Sequence, residues 1–168
     1  MQEKKFYLVA QFDKKTHNKL AGYYDILRKN SLIGSQTKDI PYHFTLGSHD
    51  YAAGIEKKLT NDLERICSET SCIDIHLSHI GLFSQRVLFV APSMNFELLK
   101  LQQSFFPNCG NGSHLWTAHA TLLIDEPEAI LKAIPIAAKE FNPFKAQIES
   151  VALYEFFPQR LIKERRLA

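Results

Sequence analysis

The string His-x-Thr-Leu occurs twice in this chain, as His43-Phe44-Thr45-Leu46 and His119-Ala120-Thr121-Leu122, with the two histidines 76 residues apart. Around each copy the same hydrophobic pattern recurs: an apolar strand, a helix, the motif strand, a second helix and a further strand. The opening strands, near Leu8 and Leu88, are about 80 residues apart. A chain patterned twice over must close two like halves on one another. The pattern predicts an α+β fold of two pseudo-symmetric lobes, each a strand-helix-strand-helix-strand unit, with antiparallel sheets around a central cleft. The lobes would occupy roughly residues 1–84 and 85–168 of one domain, with strands free to exchange between them.

The elements follow from local signals. Residues 6–12 are almost continuously apolar and read as a buried strand. Asp13 or Thr16 is placed to cap a helix running to Lys29, with Leu20, Tyr23, Tyr24 and Leu27 on one face. Residues 30–40 read as a loop and 42–47 as the first motif strand. Asp50 starts a helix bearing Ile55, Leu59, Leu63 and Ile66, and residues 72–80 form a strand with Ile73, Ile75, Leu77 and His79 on one face. The second cycle has a strand at 86–91, a helix capped by Asn95, a loop at 107–113 and the motif strand at 118–124. Glu126-Pro127-Glu128 starts a helix that Pro135 kinks or splits. Strands at 146–156 and 160–167 complete the chain.

Charge narrows the partners. The net charge is +2; Arg160, Lys163, Arg165 and Arg166 against Glu164 supply +3, so the rest is near −1. This is not the footprint of a protein that coats long nucleic acid, and it fits a small phosphorylated ligand or an RNA end. The basic tail itself reads as a solvated last strand. No apolar run approaches the roughly 18 residues of a spanning helix, and residues 6–10 are too few for a signal-peptide core. Cys67, Cys72 and Cys109 are odd in number and form no Cys-x-x-Cys. A cytoplasmic monomer with reduced thiols and no membrane contact is expected.

On a strand, His and Thr at i and i+2 point the same way. Two such pairs facing one cleft offer two imidazoles and two hydroxyls to a phosphate. Displacement at phosphorus needs a base on the attacking oxygen and an acid on the leaving oxygen, roughly in line. Imidazole suits both tasks near neutrality, and the hydroxyls can donate to the non-bridging oxygens. The remaining histidines are weaker candidates. His76 and His79, three apart on a strand, would face opposite ways; His49 reads as a surface turn residue and His17 as an exposed helix start. His114 lies in a loop within reach of ligand. With no His-Glu-x-x-His, Cys cluster or acidic cage, neither metal nor other cofactor is expected, and residues 110–113 lack the Lys of a P-loop.

Pro41-Tyr42-His43-Phe44-Thr45-Leu46 and Trp116-Thr117-Ala118-His119-Ala120-Thr121-Leu122 resemble the paired motifs of the two-histidine (2H) phosphoesterase superfamily, which includes 2′-5′ RNA ligase-like proteins and RNA 2′,3′-cyclic phosphodiesterases. The resemblance covers nearly the whole chain, with Gly81-Leu82-Phe83 and Arg86-Val87-Leu88-Phe89-Val90 similar to the segment linking the lobes. It implies that His43 and His119 are the catalytic pair, His43 as acid and His119 as base in opening a cyclic phosphate, with Thr45 and Thr121 on the phosphate oxygens. Phe83 would lie near a nucleobase or in the core, and Trp116 would wall the cleft or serve packing. Ala118 stands where members often carry Pro, and no Arg motif accompanies the second His-x-Thr. The implied function is metal-independent hydrolysis of 2′,3′-cyclic phosphate or 2′-5′ bonds of RNA ends or nucleotides. The alternative is a nucleotide or RNA-end binding module without chemistry.

Overall fold

The computed structural model describes residues 4–37, 39–107, 116–157 and 159–168. Cys109, His114 and the loop at 110–113 lie outside the described residues. The elements are β1 (Lys5–Phe12), α1 (Lys14–Lys29), β2 (His43–Asp50), α2 (Ile55–Glu69), β3 (Ile73–Phe83), β4 (Val87–Pro92), α3 (Phe96–Phe105), β5 (Ala120–Ile124), α4 (Pro127–Glu140), β6 (Phe144–Phe156) and β7 (Arg160–Arg166).

Local chemistry sets the helix ends. The Asp13 carboxylate, rather than Thr16, caps α1 and accepts from the Thr16 N–H at 3.1 Å. Asn95 caps α3 in the same way, from the Leu98 N–H at 2.8 Å. Asp50 does not start α2. It ends β2, where it pairs in register and by a 3.0 Å ion pair with Lys5, and the helix begins only after Gly54, whose φ of 80° suits glycine. Nor does Pro135 break α4. Its ring leaves the Leu131 carbonyl without a helical partner, but Leu131 and Pro135 are both exposed, where water can take the place of that bond.

All pairings are antiparallel, and the strand order is β2-β1-β6-β3-β4-β5. The β6–β3 pairing joins the two halves into one continuous sheet. Turning the order end for end exchanges β2 with β5, β1 with β4 and β6 with β3, which are the corresponding strands of the two sequence cycles. The bulges obey the same exchange. Leu46 is the extra residue between Thr45, opposite Val9, and Gly47, opposite Leu8. Leu122 is the extra residue between Thr121, opposite Phe89, and Leu123, opposite Leu88. Inner bulges sit likewise at Ser78 of β3 and Glu149 of β6. The Leu of each His-x-Thr-Leu is therefore where its strand turns out of register.

Helices cross between the halves. α1 packs on α4 and β5, and its counterpart α3 packs on α2 and β2. Phe44, Leu46 and Leu122 enter the main core almost without exposure, each worth about 1.5–3 kcal/mol of burial. Val9, Ala152 and Tyr154, on the opposite face of the sheet, form a small second cluster with Ile40 and Phe156. β7 breaks the symmetry: it pairs with β6 end to end with β3. Its cations are held by carboxylates, Arg160 by Glu56 and Glu155, Lys163 and Arg165 by Glu64, and Arg166 by Glu149. The basic tail is thus an integral strand with its charge matched. No helix among the described residues is long and apolar enough to cross a membrane.

Candidate active site

β2 and β5 stand at opposite ends of the strand order yet touch, because the sheet curls upon itself. The Trp116 indole N–H donates to the Thr45 carbonyl at 2.8 Å, tying the approach to the second motif onto the first motif strand. Trp116 also packs against the main core. Of its two expected roles, packing is the one these contacts describe.

The two histidines make the same bond. His43 Nδ1–H donates to the Pro41 carbonyl at 2.7 Å, and His119 Nδ1–H donates to the Thr117 carbonyl at 2.8 Å. A carbonyl can only accept, so in each ring Nδ1 carries the proton and a neutral imidazole keeps its Nε2 lone pair for a ligand. Thr45 and Thr121 follow two residues on, half-buried, while Phe44, Leu46, Ala120 and Leu122 turn to the core.

Beyond that bond the surroundings differ. His43, Thr45 and Thr121 open onto a cavity of about 520 Å³, the size range of a small-ligand site. Its walls include Tyr7 and Val9 of β1, Tyr24 and Asp25 of α1, and Phe156 of β6. The segment after α1 closes it: Ser35 N–H and Oγ donate to the Ile124 carbonyl, and Gln36 Oε1 accepts from Ile124 N–H. Burial holds the His43 pKa below the ordinary imidazole value; the Pro41 hydrogen bond opposes this and charge at His119 adds to it. Burial, then Tyr24 and Asp25, push the Tyr42 phenol up, so it stays a proton donor. His119 instead sits against rings: Phe83 edge-on at 4.6 Å and Phe89 at 5.4 Å between centroids. Phe83 is 37% exposed and is not a core residue.

Three histidine expectations need correction. His17 is not an exposed helix start; it lines the cavity and its Nδ1 accepts from the Tyr42 N–H at 3.3 Å. His49 is not in a turn: the Leu46 bulge swings it to the helix-covered face of β2, stacked on Phe106 at 4.7 Å, with Nε2 buried and unpartnered. The Ser78 bulge does the same to His79, which leaves the face of Leu77 and is exposed on the side of His76. No cluster of three or more His, Cys, Asp or Glu among the described residues could hold a metal ion. The residues that sequence reasoning missed, His17, Ala21, Tyr24 and Asp25, form a stripe at helical spacing on α1, flanking the face of Leu20 and Leu27. That second stripe was the available signal.

The model of the 2′-5′ RNA ligase superfamily matches residues 18–157. Among solved structures, E. coli LigT complexed with NADP+ superposes with a TM-score of 0.70 at 15% identity, covering 99% of each chain. LigT complexed with ATP gives 0.69 at 16% identity, over 100% of this chain and 99% of that one. TT0787 of Thermus thermophilus gives 0.64 at 14% identity over 97% of each. At these identities the likeness is one of fold. No curated protein sequence matches the chain.

Proposed function

Because the chain belongs to the 2′-5′ RNA ligase superfamily, we propose that it is a metal-independent phosphoesterase acting on 2′,3′-cyclic phosphate or 2′-5′ phosphodiester bonds of nucleotides or RNA ends. The observation that carries this reading is the pair of matched Nδ1–H bonds to Pro41 and Thr117, which leave the Nε2 lone pair of each ring free for proton transfer. One neutral imidazole takes the proton from the attacking water or hydroxyl as the new P–O bond forms. The other, protonated, delivers a proton to the departing oxygen as the old bond breaks. Thr45 and Thr121 donate to the non-bridging oxygens, where the charge is held. The cavity beside His43 offers room for the nucleoside, and LigT complexes with NADP+, ATP and 3′-AMP support a nucleotide as the ligand class.

The roles implied by family resemblance, His43 as acid and His119 as base, require His43 to be charged. Burial opposes that in the free protein, and an anionic phosphate in the cleft favours it. Binding should therefore take up a proton. We place the enzyme in the cytoplasm as a monomer. The test is turnover of nucleoside 2′,3′-cyclic phosphates and 2′-5′ dinucleotides in EDTA by wild type, His43→Ala and His119→Ala. Wild-type turnover lost in both variants is expected. Nucleotide binding with no turnover of any candidate would favour the binding module instead.

A further inference from the structure

The Pro41–Tyr42 peptide is held at both ends by histidines. Its carbonyl accepts from His43 Nδ1–H at 2.7 Å, and its N–H donates to His17 Nδ1 at 3.3 Å. Because an N–H can only donate, His17 Nδ1 is unprotonated and the neutral ring carries its proton on Nε2. The His17 and Tyr42 rings are 5.4 Å apart, so the clamp is packed as well as hydrogen-bonded. His17 enters from the first turns of α1, whose start is fixed by the Asp13 cap and the His17 N–H bond to the Asp13 carbonyl. A rigid helix thus sets the plane of the peptide that sets the tautomer of His43.

The second motif lacks this device. The Thr117 carbonyl accepts from His119, but among the described residues no side chain accepts from the Ala118 N–H, and His119 is placed by Phe83 and Phe89 instead. We propose that His17 is a positioning residue for His43, acting through the Pro41–Tyr42 peptide: it fixes the orientation of the peptide carbonyl, and so keeps the His43 Nε2 aimed at the phosphate. The proposal rests on the phosphoesterase reading for its kinetic consequence, but not for its structural one. Polarisation runs along the chain His17···H–N–C=O···H–Nδ1, each bond strengthening the next.

Three variants test it. In His17→Asn the side-chain oxygen falls near the place of Nδ1 and can accept the Tyr42 N–H. In His17→Gln the polar end falls near Nε2, and in His17→Leu there is none. His17→Asn should keep kcat within a few-fold of wild type, while Gln and Leu lower kcat by about 10–100-fold, the scale expected when a catalytic group is misplaced by about 1 Å, with KM changed less. In parallel, imidazole nitrogen resonances read the His43 tautomer without any substrate. Wild type and His17→Asn should show the Nδ1–H form of His43, and Gln and Leu a shift towards the Nε2–H form, with His119 unchanged throughout. Equal kinetics for Asn, Gln and Leu, or a His43 tautomer indifferent to all three, would overturn the clamp. The expected tautomer shifts in the Gln and Leu variants, with no phosphoester turned over by the wild type, would sustain the clamp and remove the phosphoesterase reading.

Discussion

The two motif strands share a hydrogen bond, a bulge and an alternation of burial, and differ in almost everything beside them. The first has a clamp from α1 and an imidazole that faces the cavity of about 520 Å³. The second has two phenyl rings against its imidazole. What stays the same is what proton transfer and phosphate binding demand: an oriented ring, a hydroxyl two residues on, and a strand that turns away immediately after. What differs is what a substrate demands, because its two sides are not alike. A duplicated fold supplies two equal tools, and their neighbours make the tools unequal.

The largest expected effect tests the equality. His43→Ala and His119→Ala should each lower kcat/KM by roughly 10²–10⁴-fold, the usual contribution of one positioned proton transfer, read by steady-state turnover in EDTA. A variant that retains full turnover would break the equivalence of the two sites. Thr45→Ala and Thr121→Ala should follow, with losses on the order of 10²-fold for a lost donor to transition-state charge. Thr45→Ser and Thr121→Ser, which keep the hydroxyl, should recover most of the rate. Loss in only one alanine variant would mean that a single hydroxyl grips the phosphate.

Two glycines sharpen the contrast. A Cβ at Gly81 would meet the Phe89 ring at 2.5 Å, and one at Gly47 would meet the Phe106 ring at 2.6 Å. Both Gly→Ala changes should cost about 1–3 kcal/mol by overpacking, measured by denaturant unfolding. Their effect on activity should differ. Phe89 touches Phe83 and His119, so Gly81→Ala pushes into the cleft and should lower kcat/KM by about tenfold as His119 is displaced. Phe106 stacks on His49, on the far face of the sheet, so Gly47→Ala should leave turnover of the folded protein close to wild type.

Much of this was legible beforehand. The order of elements, the Asp13 and Asn95 caps and the paired motifs all follow from periodicity and residue type. What was not legible is whatever depends on one strand meeting another. Period-two alternation puts His43, Thr45, Gly47 and His49 on one face; the bulge at Leu46 puts the last two on the other. Only the partner strand reveals that bulge, since no residue near Leu46 demands one by itself. The same holds for Ser78 and His79. The start of α2 was missed because Asp50 has the chemistry of a cap and spends it on Lys5 of β1. His17 was missed because a polar stripe on a helix usually faces water, and here it faces a cavity that forms only when β2 and β5 close together.

The smallest effect compares two histidines of the same strand. Burial holds both His43 and His49 below the ordinary imidazole pKa; for His49, Lys58 adds to this, and Asp62 and Asp50 oppose it. A depressed pKa in the folded state means that the unfolded chain binds the proton more readily. Stability from each is thus complete above the unfolded value, near 6.5, and is lost as pH falls through that value towards the folded one. Unfolding free energy should therefore drop between about pH 7.5 and 5.5, and His49→Phe, which keeps a ring against Phe106 without a titrating nitrogen, should flatten part of that drop. A bound anion should separate the two residues. A nucleoside monophosphate in the cleft offsets the charge that His43 acquires on protonation, so at saturation the acid-side loss from His43 should vanish. His49 faces α3 from the other side of the sheet, and its share should persist in the ligand. If saturating nucleotide abolishes the whole pH dependence in wild type, His49 titrates with the cleft, and the separation of faces made by the Leu46 bulge is wrong.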